Sequence, residues 1–344
     1  MCLKGDDPPP GECPRSEDQC SLERAESAIF AGMPVLPHDL QILPATAGEY
    51  SHLLHWILSA DSGPANEDPL VWELLDRHRR GLVSLDLLLQ AVSMGKIVGT
   101  AWGQVLPGRI GIIWPVRLAA GIAPQAGVEL LQSIDKSFDR QGVVLPVSVI
   151  DTETTDAMAL HRNLLEIVGY EPQTRLQIMS KAIASQIQQP AGPLHFLSDV
   201  DCPFLAGILE QTEVESGDIP EIQGIRSGSD ILATFEQEAE DSPRAWYVVR
   251  HEGNPVGCLL LASNLLSESC SIQYMGLLPG FRARGWGRLL VDHAEHWGRG
   301  QNARCLRLMV DSRNQRATRL YNKCGLQIDH EQQFWMRAAD VRGT

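Results

Sequence analysis

The sequence predicts an α/β protein in which one mixed-sheet fold occurs twice in tandem. Two observations support this prediction. Apolar runs of strand length alternate with amphipathic runs of helix length along most of the 344 residues, as they do where helices cover a sheet. The order of these runs also repeats at a spacing of about 160 residues, in a chain long enough for two cores.

Composition divides the chain into four segments. Residues 1–36 are predicted to be a disordered tail, because their run of Asp, Pro and Gly cannot bury enough apolar area to offset the entropy of ordering. Residues 37–182 are the first predicted domain, and residues 194–344 are the second. Residues 183–193 are polar and rich in Pro and Gly, which predicts a linker.

Hydrophobic periodicity predicts the elements of the first domain in order. A short strand precedes two helices, a strand meander broken at glycines follows, and a helix, a strand and a helix complete the pattern. The predicted segments are 40–43, 53–58, 71–80, 85–92, 96–105, 110–116, 124–138, 143–150 and 156–168.

The second domain repeats this pattern, from a strand at 194–197 through a helical third that ends near residue 240. Corresponding positions about 160 residues apart carry the same residue type, which predicts a tandem repeat of one fold. These pairs are Gly127 and Gly287, Leu130 and Leu290, Asp151 and Asp311, Ala157 and Ala317, and Leu160 and Leu320.

The formal net charge of −14 argues against a general affinity for nucleic acid or an anionic membrane surface. Neither a spanning segment nor a secretory signal is recognisable, so a cytoplasmic location is expected. The eight cysteines are scattered, without a spacing typical of zinc ligands. No metal site is therefore predicted.

A glycine-rich turn at residues 282–288 carries the clearest chemical signal. It follows an apolar run and precedes an amphipathic one, which predicts strand, turn and helix. A turn of this kind leaves backbone N–H groups unpaired at the positive end of the helix dipole. Gly285 and Gly287 would let a phosphate approach, and Arg282, Arg284 and Arg288 would add charge around it. The turn is predicted to bind a pyrophosphate.

A second motif follows about 34 residues after the first, in the arrangement Asn-x-x-Ala-x-x-Leu-Tyr-x-x-x-Gly-Leu from Asn314 to Leu326. With both motifs in place, the sequence resembles the GCN5-related N-acetyltransferases, the GNAT family. The family pattern Val-x-Pro-x-x-Arg-x-x-Gly-x-Gly matches Leu277 to Gly287 with Leu in place of Val. The family pattern Tyr-x-x-x-Gly-Phe matches Tyr321 to Leu326 with Leu in place of Phe.

The resemblance implies two GNAT-like domains, of which the second moves an acetyl group from acetyl-CoA to a primary amine. The amine would attack the thioester directly in a ternary complex. Tyr321 matches the family tyrosine that hydrogen-bonds the sulfur and acts as general acid. Acetyl-CoA would lie in a wedge between two strands and pair with the strand that ends at Leu277. The implied acetyl-CoA-binding residues are Met275, Leu277, Arg282, Ala283, Arg284, Gly285, Trp286, Gly287, Arg288 and Asn314.

The first copy departs from both motifs. Ile122, Pro124 and Gln125 stand where the second copy has Arg282, Arg284 and Gly285, and proline lacks the N–H that a phosphate would need. His161 stands in place of Tyr321. The first domain is therefore interpreted as a degenerate GNAT-like copy, similar in arrangement to tandem GNAT enzymes, that packs beside the second copy and shapes its acceptor site.

Charge is segregated within the second domain. Residues 199–241 contain twelve acidic residues against the single basic Arg226, whereas residues 282–323 contain ten basic residues against three acidic ones. If this asymmetry serves binding, the amine acceptor, a small molecule or a peptide, is cationic. The alternative is a solvated acidic surface.

The general base stays open. Ser271 stands near the position where some family members have a glutamate, which leaves Glu268, Gln273 through a bound water, or a residue of the acidic segment. A missing base would favour a non-catalytic acetyl-CoA sensor or scaffold. A structural protein with two inactive copies is the third class, and the intact turn together with Tyr321 argues against it.

Overall fold

The computed structural model describes residues 36–59, 68–152, 155–184, 190–198, 200–238, 242–265 and 267–337. The predicted tail up to residue 35 and residues 185–189 of the predicted linker lie outside this part of the chain. Below, residues 36–184 are called the first half and residues 190–337 the second half.

The first half follows the predicted order of elements up to its fourth helix. In the described residues its elements are β1 (Gln41–Pro44), α1 (Tyr50–Leu58), α2 (Pro69–Arg79), β2 (Leu88–Ser93), β3 (Lys96–Leu106), β4 (Ile110–Ile113), β5 (Arg117–Leu118), α3 (Gln125–Arg140), β6 (Leu145–Asp151), α4 (Asp156–Ile167) and β7 (Tyr170–Ala182). Two of these strands, β5 and β7, were not predicted. The predicted strand at 110–116 is shorter, because Pro115 cannot donate a ladder hydrogen bond.

The second half repeats this order without a counterpart of β5. Its elements are β8 (His195–Leu197), α5 (Cys202–Glu213), a 3₁₀ turn (Pro220–Ile222), α6 (Gly228–Glu238), β9 (Arg244–His251), β10 (Asn254–Asn264), β11 (Ser269–Leu277), a 3₁₀ turn (Pro279–Phe281), α7 (Trp286–Gly300), β12 (Cys305–Asp311), α8 (Gln315–Lys323) and β13 (Gln327–Arg337).

The hairpins at corresponding places in the two halves have the same turn. Met94 and Gly95 join β2 to β3, and Glu252 and Gly253 join β9 to β10, all four with positive φ. Two consecutive left-handed residues make the tight turn whose twist matches that of the flanking strands. The local geometry of the two halves is therefore alike where their sequences are alike.

One mixed sheet runs through both halves in the order β1-β2-β3-β4-β6-β13-β7-β12-β11-β10-β9-β8, and β5 pairs with β3 beside this path. The halves exchange their last strands. β13 pairs with β6 of the first half, and β7 pairs with β12 of the second half, while β7 and β13 pair with each other. The predicted linker thus separates the halves in sequence, whereas the sheet is continuous between them.

Helices cover both faces of the sheet in each half. α1 and α2 lie on one face of the first half and α3 and α4 on the other. In the second half, α5 and α6 lie on one face and α7 and α8 on the other. Leu290, Val291, Ala294 and Gly298 form one buried stripe of α7 at helical spacing, as in an amphipathic helix. None of the described helices is long and apolar enough to cross a membrane.

Candidate active site

The cavity of the second half opens where two parallel strands separate. β11 pairs with β12 only from Ser269 to Ile272; beyond that point β11 stays paired with β10, and β12 with β7. The pairing of β11 with β10 shifts register at Gln273, which is an extra residue in β11. A bulge of this kind bends a strand away from its neighbour. The separation leaves a cavity of about 590 Å³ between the diverging strands.

Most of the sequence-predicted site residues meet at this cavity. The predicted residues that line it are Met275, Leu277, Arg282, Ala283, Gly285, Gly287, Asn314 and Tyr321. The other three predicted residues, Arg284, Trp286 and Arg288, are not part of the lining.

The start of α7 presents a row of unpaired backbone donors to the cavity. Ala283 and Gly285 both have positive φ, of 62° and 79°, and the helix begins at Trp286. Within the described part of the chain, the N–H groups of residues 283–287 donate to no protein acceptor. Several N–H groups at a helix N-terminus, with the helix dipole behind them, form an anion-binding site.

The two glycines of this turn have different structural roles. Gly285 is in the left-handed region with open space around it, so its backbone conformation requires glycine. Gly287 has an ordinary φ, but a Cβ there would lie 2.7 Å from Cδ2 of Leu320. The absence of a side chain at Gly287 therefore lets α7 pack closely on α8, and its N–H belongs to the row of unpaired donors.

The guanidinium of Arg282 is already engaged by the protein. It donates hydrogen bonds of 2.8–3.0 Å to the carbonyl oxygens of Leu277, Thr212, Val214 and Glu215. These partners are the end of β11 and the last turn of α5 with the residues after it. Arg282 thus joins the cavity strand to α5 and also lines the cavity.

The other predicted cationic residues lie beside the turn. The Arg284 guanidinium stacks over Phe281 and Trp286, with centroid distances of 5.1 Å and 5.3 Å. Arg288 is largely exposed, and its Nε lies 3.6 Å from Asp292. The Trp286 side chain belongs to the core of the second half, so only its backbone N–H faces the anion site. Two of the three predicted arginines therefore keep their charge near the turn.

Tyr321 is the buried residue of α8 and contributes to the cavity wall. Burial raises the pKa of its phenol, and the Asp218 carboxylate raises it further. The phenol is therefore a neutral proton donor at physiological pH. Asn314 also lines the cavity, but its side-chain oxygen accepts a hydrogen bond of 3.2 Å from the Ala317 N–H and caps α8.

The acidic segment places Glu215 and Asp218 in the cavity wall. Asp218 Oδ1 accepts a hydrogen bond of 3.0 Å from the Asp311 N–H, at the free edge of β12. Loss of water around its carboxyl raises the pKa of Asp218, although that hydrogen bond acts in the opposite direction. Asp218 was one of twelve acidic residues in the sequence pattern, and only the fold distinguishes it from the others.

The candidates for a general base differ in whether they line the cavity. Glu268 lies at the start of β11 and forms an ion pair of 2.9 Å with Arg304, away from the cavity. Ser271 does not line the cavity, whereas Gln273, the bulged residue, does. Gln273 and, from the acidic segment, Glu215 and Asp218 are thus the candidate residues that line the cavity.

Comparison with known proteins agrees with this arrangement. Residues 214–326, which hold the cavity, the turn and Tyr321, match the model of the family described as Acetyltransferase (GNAT) family. The second half contains a GNAT-family domain. A comparison with curated protein sequences found no match.

Solved structures extend the likeness of the fold to both halves. A GCN5-related N-acetyltransferase from Sphaerobacter thermophilus is 18% identical with a TM-score of 0.59, over 88% of this chain and 96% of that one. A tandem GNAT protein from the clavulanic acid biosynthesis pathway is 12% identical with a TM-score of 0.56, over 88% and 100%. The chain therefore has the fold of tandem GNAT proteins.

At the place in the first half that corresponds to the GNAT cavity, side chains lie between the two strands. β4 pairs with β6 from Ile110 to Ile112, and side-chain hydrogen bonds join the strands beyond this point. Buried His161, the counterpart of Tyr321, accepts a hydrogen bond of 3.3 Å at Nδ1 from the Val116 N–H, and its Nε2 lies 3.1 Å from Ser148 Oγ. Ser148 Oγ donates to the Ile113 carbonyl at 2.8 Å. Side chains thus satisfy the backbone groups that would otherwise face a ligand.

Proposed function

We propose that this protein is an acetyl-CoA-dependent N-acetyltransferase whose site lies in the second half. The observation that carries the proposal is that one cavity contains both a group of anion-binding N–H donors and a buried proton donor. The free N–H groups of residues 283–287 suit a pyrophosphate, and the buried phenol of Tyr321 can donate a proton. The separated edge of β11 between them offers backbone groups to the amides of a pantetheine chain.

The residues of the cavity fit acetyl-CoA as cosubstrate. Residues 283–287 would hold the pyrophosphate, with Arg284 and Arg288 beside it, and the backbone from Gln273 to Leu277 would orient the pantetheine. The cosubstrate supplies a thioester carbonyl that an amine can attack. When the C–N bond forms and the C–S bond breaks, Tyr321 gives its proton to the sulfur. The phenolate then regains a proton from solvent.

The acceptor amine gives its proton to a base in the cavity wall. Asp218 is the best placed of the candidate bases, because it lines the cavity and its charge acts on the Tyr321 phenol. A carboxylate with a raised pKa is a better proton acceptor than an ordinary aspartate. Since Asp218 and Glu215 are both acidic, we propose that the acceptor is a cationic amine.

Thiol release from acetyl-CoA in the presence of a panel of amines tests this function. We expect CoA to bind once per chain in calorimetric titration, and cationic amines to accelerate thiol release. Binding without thiol release for any amine would indicate an acetyl-CoA sensor instead. Absence of binding would contradict the assignment of the anion site itself.

A further inference from the structure

The cavity of the second half depends on a loop that the first half supports. Every residue that lines the cavity in the described chain comes from the second half, and Glu215, Ser216, Gly217 and Asp218 form part of one wall. They belong to the 214–227 loop, which joins α5 to α6. The opposite side of this loop lies against the first half.

The first contact between the loop and the first half is apolar. Ile219, Ile222 and Ile225 pack against a buried cluster whose members lie on β6, β7 and β13. These members are Leu145, Val147, Leu176, Phe334 and Met336. Three isoleucines on a short loop would expose much apolar surface if this contact were lost, so burial favours the docked position of the loop.

The second contact is polar and lies at the start of α6. Arg109, in the hairpin turn between β3 and β4, donates two hydrogen bonds to the Asp230 carboxylate, at 2.6 Å and 3.3 Å. Thr234 Oγ1 donates to the Pro107 carbonyl at 2.8 Å. Gly108 has a φ of +79°, and a Cβ at this position would overlap the Asp230 carbonyl oxygen. The backbone of the hairpin thus touches the backbone of α6.

Opposite these contacts, the loop is attached to the cavity edge of β12. Ile219 N–H donates to Asp311 at 3.1 Å, and Arg313 binds Glu221 through two hydrogen bonds of 2.7 Å. Asp218 accepts from Asp311 on the same edge. A displacement at the hairpin would therefore be transmitted to the residues that line the cavity.

We propose that the 107–109 hairpin turn and the isoleucine contact position the 214–227 loop, so that the first half completes the acceptor side of a cavity that it does not line. The assignment of this side to the acceptor rests on the proposed function, whereas the support of the loop does not. The hairpin residues are positioning residues, because they act through Asp230 and the loop.

Gly108→Ala tests this proposal, with Gly95→Ala as the matched control. Both glycines lie in hairpin turns of the first half with positive φ, but a Cβ at Gly95 meets no atom within 4 Å. Both variants carry similar backbone strain, and only Gly108→Ala forces the hairpin away from α6. Hydrogen exchange of the amides in residues 216–225 is measured in the full chain, together with CoA binding by calorimetry.

We expect exchange in residues 216–225 to be roughly tenfold faster in Gly108→Ala and nearly unchanged in Gly95→Ala. CoA affinity should stay within about twofold in both, because neither substituted position touches the start of α7, which presents the N–H groups of residues 283–287. Equal exchange in the two variants would overturn the proposal. Arg109→Gln, which keeps the glycine, provides a milder variant and should change exchange in the same direction.

The acceptor reaction gives an independent measurement. At saturating acetyl-CoA, Gly108→Ala should raise KM for the amine roughly tenfold. KM for acetyl-CoA, measured at a saturating concentration of the amine, should change little. If no amine is acetylated by the wild type, the proposed function fails, and the difference in exchange still decides whether the first half positions the loop. An unchanged KM for the amine would show that the loop is supported without serving the acceptor.

Discussion

Tyr321 combines burial with a place in the cavity wall, which makes its hydroxyl testable by a single change. Tyr321→Phe removes the proton donor and keeps the ring. We expect kcat to fall by roughly 10²-fold with little change in KM for acetyl-CoA, because a proton delivered to the leaving thiolate matters mainly in the transition state. Steady-state thiol release measures both constants.

Tyr247→Phe is the matched control, since Tyr247 packs among Phe196 and His293 and does not line the cavity. The kcat of this variant should equal that of the wild type. If Tyr321→Phe also leaves kcat unchanged, Tyr321 has only a packing role.

Buried His161 gives the stability of the first half a pH dependence. Burial, with Arg117 and Arg162 nearby, lowers the pKa of His161 from 6.5 to about 3. As the pH falls below about 6.5, the unfolded chain binds this proton first, so the free energy of unfolding decreases by about 1.4 kcal/mol per pH unit until the folded-state pKa is reached.

We therefore expect the free energy of unfolding of His161→Gln to change less with pH than that of the wild type between about pH 6 and pH 4. The difference in slope should be about 1.4 kcal/mol per pH unit. Urea unfolding at several pH values measures this slope. If plots of the free energy of unfolding against pH ran parallel for the wild type and His161→Gln, the prediction that His161 is buried in its neutral form would be wrong.

At the scale of the element, the anion site depends on the entry into α7. Gly285→Ala places a Cβ on a residue whose φ is +79°, where an L-residue costs about 1–2 kcal/mol. Relaxation toward negative φ would turn the N–H groups of residues 285–287 away from the cavity. We expect the Kd for CoA to rise about tenfold, which corresponds to about 1.4 kcal/mol.

Gly280→Ala is the control for this element. Gly280 precedes the turn with an ordinary φ and has open space at its Cβ, so the change should leave CoA affinity unaltered. Equal Kd values for the two variants in calorimetric titration would place the phosphate elsewhere.

At the scale of the whole molecule, the exchanged strands make the halves interdependent. Residues 190–344 alone would lack β7, which pairs with both β12 and β13, and β6, which pairs with the other edge of β13. Unpaired strand edges expose backbone donors and acceptors and associate readily. We expect this fragment to show no cooperative thermal transition as a monomer.

Co-expression with residues 36–184 should restore the fold, because the missing strands can pair between two chains as they do within one. Size-exclusion chromatography and calorimetry of the co-purified fragments measure this. A monomeric fragment 190–344 that melts cooperatively and binds CoA normally would contradict the interdependence.

The charge distribution of the whole molecule predicts a salt effect on the acceptor. Attraction between a cationic amine and the acidic side of the cavity weakens as the Debye length falls from about 10 Å at 0.1 M to about 3 Å at 1 M. At saturating acetyl-CoA, added salt should raise KM for a cationic amine more than for a neutral amine of similar size. The same response for both amines would assign the acidic residues to a solubilising surface.

Local features of this protein could be predicted from its sequence. The turn before α7 consists of residues that are close in the chain, and its free N–H groups follow from glycine conformation and the start of a helix. The stripe of α7, the order of the elements and their repetition in two halves follow from periodicity. The motif that points to Tyr321 is also local, because it lies in α8 and in the residues that follow this helix.

The tertiary structure alone decided what depends on contacts between distant residues. Arg282 binds the carbonyl of Thr212, 70 positions away, which no local pattern reveals. His161 and Ser148 fill the wedge of the first half because separate elements bring them together. The exchange of β7 and β13, the placement of Glu215 and Asp218 in the cavity wall, and the contacts of the 107–109 hairpin with α6 likewise arise from packing. Strand pairing and burial depend on which surfaces meet and not on the order of residues along one element.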